Sequence, residues 1–232
     1  MNFINELKPA TLIKRYKRFL ADVILDDNTV ITVYCPNTGS MKSCSTPGNR
    51  VYLSRSKNQK RKYPFTLEMV KEGSTWVGVN TSLTNRIVAE AIENGEVAEL
   101  ADIDFIRQEV KTSARTRLDL LLGRGEQKIY VEIKNCSLVE DGIAMFPDAV
   151  TSRGTKHLHE LAELVRKGHE GVMFYLVQRD DAVSFKPAAH IDPVYAEALA
   201  EAFEKGVKVL VYRAAVSPQS ISVVQSLPFT VT

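Results

Sequence analysis

Three side chains near the middle of the chain, Asp119, Glu132 and Lys134, have the types and spacing that phosphodiester hydrolysis needs. Glu132 and Lys134 sit two residues apart in Ile129-Tyr130-Val131-Glu132-Ile133-Lys134, where apolar and polar residues alternate. In a strand this puts Ile129, Val131 and Ile133 on one face and Glu132 and Lys134 on the other. The triplet Glu-x-Lys decides nothing by itself, because it also occurs at Glu6/Lys8, Glu109/Lys111 and Glu126/Lys128. The preceding strand supplies the discrimination. Leu118, Leu120 and Leu122 form one expected face, with Arg117, Asp119 and Leu121 on the other, and Gly123-Arg124-Gly125-Glu126-Gln127 joins the two strands. A tight turn about Gly125-Glu126 sets Asp119 across from Glu132 and Arg117 across from Lys134, pairing leucine face with Ile/Val face; a slip of one residue would spoil both faces.

Opposed strand residues have Cβ atoms about 5 Å apart, where two carboxylates repel or share a cation. Mg²⁺, with Mn²⁺ as its substitute, takes oxygen ligands and keeps several waters, so Asp119, Glu132, a strand carbonyl and a phosphate oxygen suit it. Lys134, about 7 Å further along the strand, would orient or help deprotonate the attacking water. The competing arrangement is a surface ladder of ion pairs, Asp119 with Lys134 and Arg117 with Glu132.

The elements that must hold these groups fall into two stretches. From Tyr16 to Asn80 the pattern is of about five short strands, Phe19 to Leu25, Thr29 to Cys35, Arg50 to Ser54, Pro64 to Val70 and Thr75 to Asn80, which suits a small closed barrel. After Asn80 helices and strands alternate: a helix from Thr84 to Asn94, strands Asp104 to Lys111, Thr116 to Leu122 and Lys128 to Asn135, a helix from Thr155 to Lys167, a strand from Val172 to Gln178, a helix from Pro193 to Lys205 and a strand from Val207 to Arg213. The expected fold class is therefore α/β with an all-β N-terminal module, in the order αβββαβαβ after the barrel. Residues 1–80 are assigned to the first unit and 81–232 to the second.

Charge divides at the same place. Residues 1–80 hold 13 Lys+Arg against 6 Asp+Glu, a net +7, and the remainder is −5. A basic module of this kind faces a polyanion. Its densest stretch, Arg55-Ser56-Lys57-Asn58-Gln59-Lys60-Arg61-Lys62, carries five positive charges in eight residues between two strands. Arg55, Lys57, Lys60, Arg61 and Lys62 are candidate phosphate contacts, with Tyr16, Tyr52 and Tyr63 as stacking faces. Arg15 and Arg18 add to the basic side. Lys156 and His157 open the helix after the hairpin, where exposed N–H groups favour an anion. The alternative for the basic stretch is a solvated turn that protects strand edges. Asn37-Thr38-Gly39-Ser40 could offer backbone N–H groups to phosphate but reads first as a structural turn.

With 44% hydrophobic and 25% charged residues the chain is globular in composition, neither disordered nor membrane-like. Met1 to Pro9 contains no long apolar stretch, and Cys35, Cys44 and Cys136 form no CxxC pair, so the expectation is reduced thiols in the cytoplasm.

Arg117-Leu118-Asp119 followed by Glu132-Ile133-Lys134 in an αβββαβ order resembles the restriction-endonuclease-like PD-(D/E)xK superfamily, with Leu118 in place of its proline. That resemblance implies a Mg²⁺-dependent nuclease site and adds Glu90, in the preceding helix, as a candidate metal ligand. A longer set of motifs is similar to the sugar fermentation stimulation protein A family: Arg15-Tyr16-Lys17-Arg18-Phe19-Leu20-Ala21-Asp22, Cys35-Pro36-Asn37-Thr38-Gly39-Ser40-Met41, Lys60-Arg61-Lys62-Tyr63-Pro64, Phe146-Pro147-Asp148-Ala149-Val150-Thr151 and Arg153-Gly154-Thr155-Lys156-His157-Leu158. The family resemblance implies DNA binding, a link by name to sugar (maltose) metabolism, and an OB-like domain before a restriction-endonuclease-like domain. DNA is the expected partner, with a homodimer carried as a candidate because restriction-type nucleases commonly cut duplexes as dimers. Two functions stay open: a metal-dependent DNA nuclease, and a regulator that uses the same scaffold only to bind DNA. Binding of another polyanion, such as RNA, is a third.

Overall fold

A computed structural model of the chain describes residues 1–113 and 116–232. The N-terminal strands are β1 (Lys8–Tyr16), β2 (Leu20–Leu25), β3 (Val30–Tyr34), β4 (Arg50–Arg55), β5 (Phe65–Glu72) and β6 (Thr75–Gly78). β1 to β3 form an antiparallel meander, β4 pairs with β1 and β5, and a parallel bridge from Tyr34 to Thr66 joins β3 to β5. These five strands close a barrel of the OB type, and β6 extends β5 as a hairpin. Alternation accounts for the closure: Ala21, Val23 and Leu25 of β2 point inward with Leu12, Val33, Val51, Leu53 and Leu67. Register shifts at Leu12/Lys14 and Tyr52/Leu53 supply the local bends that a small barrel requires. β1 carries little strand signal in sequence, since Pro9 and three basic residues interrupt its alternation.

The second unit runs α1 (Thr84–Glu93), β7 (Phe105–Lys111), β8 (Arg117–Arg124), β9 (Gln127–Cys136), β10 (Leu138–Glu140), β11 (Ile143–Phe146), α2 (Ser152–Arg166), β12 (Glu170–Val177), β13 (Ser184–Pro187), α3 (Pro193–Glu204), β14 (Lys208–Val216) and β15 (Ile221–Ser226). Its main sheet has the order β15-β14-β12-β9-β8-β7, with β12 parallel to both β9 and β14 and the outer pairs antiparallel. β10, β11 and β13 form a small second sheet. Helix α1 packs on one face of the main sheet and α2 with α3 on the other, each over its own apolar cluster. This is a mixed α/β core of the restriction-endonuclease kind, and it contains the expected αβββαβαβ order with four further short strands or edges.

Caps fix the helix that borders the hairpin. Thr151 Oγ1 accepts from Gly154 N–H at 3.1 Å at the start of α2. Asp192 caps α3 through Tyr195 N–H and also accepts from Thr151 N–H at 2.8 Å, so one carboxylate sets both helix entries. Residues assigned from sequence to the barrel do not all lie on it. The Met1 ammonium donates to Ile221 O and pairs with Glu90, and Asn2 bridges to Ser220, so the first residues dock on the second unit.

Candidate functional site

Hairpin β8–β9 pairs Leu120 with Val131, Leu122 with Ile129 and Arg124 with Gln127, the register expected from the alternation. The ladder stops at Leu120–Val131, before Asp119. Leu118 then packs with the α2–α3 cluster, while Leu120 and Leu122 pack beneath α1. The three leucines therefore do not share the single face expected for them. The cause is local: Asp119 Oδ2 accepts from the backbone N–H of Ile133 at 2.8 Å, so a side chain occupies the position of a ladder bond. Asp119 Oδ1 accepts from Asn85 Nδ2 at 2.9 Å, which ties the carboxylate to the first turn of α1.

Glu132 is buried, with 2% of its surface exposed. Its Oε1 takes two partners, Lys134 Nζ and His157 Nδ1, while its Oε2 is buried with no hydrogen-bond partner. His157 comes from the second turn of α2 and is itself buried; its Nε2 lies 3.4 Å from Arg153 Nε. Burial opposes ionisation of Glu132, but His157 and Lys134 outweigh it and hold the carboxyl below its usual range. Asp119 behaves oppositely: burial, then the neighbouring Glu132 charge, push its carboxyl up despite the bonds from Ile133 and Asn85. The two carboxylates thus feel each other across the hairpin.

Asp119, Glu132 and Lys134 line one cavity of about 500 Å³. Its other walls are Thr84 and Asn85, the segment 145–151 with Arg153, and Arg18 with Asn37 to Gly39 from the barrel. The barrel loop is held there by specific bonds. Arg15 donates to the carbonyls of Asn37 at 2.8 Å, Gly39 at 2.9 Å, Ser40 at 3.2 Å and Arg18 at 2.9 Å. Asp148 accepts from Met41 N–H at 3.1 Å, and a Cβ at Gly39 would collide with that carboxylate. Only glycine permits this approach.

Several residues lie elsewhere than their expected roles require. Arg15 spends its guanidinium on backbone carbonyls and serves as a clamp, because the loop it faces turns its carbonyls inward. Glu90 is not among the cavity walls: it lies far round α1 from Asn85 and binds the Met1 ammonium at 2.8 Å. His157 is turned inward onto Glu132 instead of outward to an anion. The ion-pair ladder is not formed, since Lys134 binds Glu132 and Arg117 binds Glu109 at 2.7 Å. Among the described residues no cluster of three or more His, Cys, Asp or Glu forms a metal cage.

On the barrel, Arg61 stacks over Tyr34 with 4.6 Å to the ring centroid and donates to Thr66 Oγ1 at 2.9 Å; Phe19 stacks on Tyr34 at 6.4 Å. Phe19 is 42% exposed. Sequence reasoning does not single out this aromatic pair; Phe19 lies in the turn before β2, next to Leu20, which pairs with Tyr34, so the hairpin register could have brought the two rings together. Tyr16 instead donates to Asp22 and Tyr52 packs against Trp76, while Lys62 covers Tyr63. Arg55, Lys57 and Lys60 lie on or beside the exposed loop between β4 and β5.

Fold and site together define a class: an OB-like barrel whose loop walls the cavity of a restriction-endonuclease-like domain. Two family models match in series, SfsA N-terminal OB domain over residues 13–79 and Sugar fermentation stimulation protein RE domain over residues 82–220. The chain belongs to the sugar fermentation stimulation protein family. The sugar fermentation stimulation protein homolog of Desulfotalea psychrophila is 55% identical over 224 residues, covering 97% of this chain and 95% of its own. That of Geobacter sulfurreducens is 53% identical, covering 96% and 95%. A solved structure of Pyrococcus furiosus SfsA in complex with Ca²⁺ superposes with a TM-score of 0.90 at 26% identity, covering 99% of this chain and 98% of that one. Among the described residues no helix is long and apolar enough to cross a membrane.

Proposed function

We propose that the chain binds DNA and hydrolyses its phosphodiester bonds with a divalent metal, Mg²⁺ or Mn²⁺. The observation that carries this reading is the divided Glu132 carboxylate: Oε1 is held by Lys134 and His157, and Oε2 is buried without a partner near a second, half-buried carboxylate, Asp119. An unpartnered buried carboxylate oxygen is costly unless a cation completes it. Asp119 and Glu132 would hold that ion, the oxygen donor set suits Mg²⁺ and Mn²⁺, and the relative solved with Ca²⁺ supports a divalent ion in this fold. When bound, the metal would supply Lewis-acid polarisation of the phosphoryl oxygen and a more acidic water. Asn85 and the Ile133 N–H orient Asp119. His157 binds Glu132 Oε1 and helps hold the carboxyl below its usual range, which leaves Oε2 for the ion. Lys134 sits beside the same carboxylate, placed to orient the attacking water and offset charge on the reacting phosphate.

The barrel supplies substrate affinity through Arg18 at the cavity wall, the 55–62 stretch and the Phe19–Tyr34–Arg61 stack. The relatives' name links such a protein to sugar fermentation, and we attribute that link, including maltose metabolism, to action on DNA in the cytoplasm. A second reading is a DNA-binding regulator that does not cut; the small donor set, two carboxylates with no third acidic or histidine ligand among the described residues, favours it. Incubating purified protein with supercoiled plasmid and with short single-stranded DNA, in Mg²⁺, Mn²⁺ or chelator, separates the two. Metal-dependent cutting lost in Asp119→Ala/Glu132→Ala establishes the nuclease; binding without cutting under every condition leaves the regulator.

A further inference from the structure

A second cleft, of about 810 Å³, opens between the β7–β8 hairpin and the start of α2. Its walls are Lys111, Ser113, Thr116, Arg117, Ser152, Arg153, Lys156 and His157. Four of these are permanently cationic, and among the described walls none is a carboxylate. The cations gather in a half of the molecule whose net charge is −5. Arg117 is itself paired, through Glu109, but Lys111 and Arg153 are exposed with no acidic partner among the described residues. Thr116 gives an independent sign of a ligand: it is 5% exposed, and its Oγ1 is buried without a hydrogen-bond partner while lining this cleft. A buried hydroxyl of that kind calls for an acceptor or donor from outside.

The cleft adjoins the site. Arg153 borders both cavities, and His157, which holds Glu132 on one side, lines the cleft on the other. We propose that this cleft is a second phosphate-binding track, in which the DNA backbone beyond the reacting phosphate is held by Lys111, Arg153 and Lys156 with Thr116. The inference rests on the nuclease-scaffold reading and adds to it a direction: the strand leaves the cavity past Arg153, away from the barrel. Affinity is then divided between two surfaces on opposite sides of the carboxylates, and a polynucleotide reaching both is the preferred substrate class over a mononucleotide.

The test is DNA affinity by fluorescence anisotropy as a function of salt, in Ca²⁺, for wild type, Lys111→Ala/Lys156→Ala, the corresponding double arginine variant, and a Lys128→Ala/Lys208→Ala control of equal charge at the other end of the sheet. Each phosphate contact contributes about 0.9 to the slope of log affinity against log salt. The double alanine variant is expected to lose about two from that slope and about tenfold in affinity near physiological salt, with unchanged melting temperature. The arginine variant and the control keep the wild-type slope. If wild type binds and the double alanine variant matches it, or loses no more than the control, the cleft assignment is overturned while the DNA reading stands. If wild type binds no DNA at any salt, both are overturned.

Discussion

The hairpin site and the basic barrel loop answer to different physics. At the site the groups are buried or half-buried and shared: Glu132 Oε1 serves two partners, Asp119 serves two others, and one oxygen is left over. On the loop Arg55, Lys57, Lys60 and Lys62 are exposed, and the anchoring contacts are those of half-buried Arg61 with Tyr34 and Thr66. In low dielectric a single substitution leaves an unpaired charge or orphaned donor, so effects are large and do not add. In solvent each cation contributes a small, screened and nearly additive increment. On the proposed function, chemistry would therefore be concentrated in a few residues that tolerate no exchange, and affinity spread over many that do.

The largest expected break in that contrast is at Glu132. Glu132→Gln removes the charge that balances His157 and Lys134, and cleavage should fall on the order of 10³-fold, equivalent to several kcal/mol of lost electrostatic stabilisation; activity near wild type would place the chemistry elsewhere. Next is His157→Ala, which removes one of the two groups that hold Glu132 Oε1. It should weaken metal binding by about 10- to 100-fold, as loss of a group orienting a ligand does, measured by the metal-induced rise in melting temperature. Arg15→Ala tests whether the barrel loop is a wall or a ligand surface. Losing four bonds to loop carbonyls should destabilise the protein by about 2–3 kcal/mol in a denaturant titration, with the DNA salt slope nearly kept. Smaller still, Lys57→Ala/Lys60→Ala should lower affinity by about three- to tenfold and reduce the salt slope by about two, leaving metal binding intact.

The cysteines give a pH-dependent check on burial. Burial pushes the Cys44 thiol up to about 12, and raises those of Cys35 and Cys136 as well. Each folded value lies above the unfolded one, so the neutral thiols favour the fold below about pH 9, and that contribution is lost as pH climbs from there toward the folded value. Thiol titration at pH 8 should find no fast-reacting cysteine in native protein and three after denaturation.

Much of this was legible in the sequence where a period or a cap imposed it. The β8–β9 register followed from alternation, and helices α1 to α3 from their apolar spacing and from Asp192-Pro193. What could not be read depends on partners distant in sequence. Glu90 lies in the helix that borders the site, but on a face turned away from the cavity, where it binds the Met1 ammonium. Arg15 has the composition of a phosphate contact, and only the path of residues 37–40 makes it a clamp. His157 reads as an exposed helix-start cation, yet α2 is set by Asp192 so that its ring meets Glu132. Leu118 breaks alternation because the Asp119 side chain replaces a ladder bond, and β10, β11 and β13 are too short to show a period.

The central claim is that the free oxygen of Glu132 completes a divalent-metal site. Mn²⁺ titration of the protein without DNA, followed by the paramagnetic signal of free ion, tests it most directly. Wild type should take up Mn²⁺ in competition with Mg²⁺, and Glu132→Gln should lose that uptake while keeping its fold. Equal uptake by both proteins, or none by either, would contradict the account.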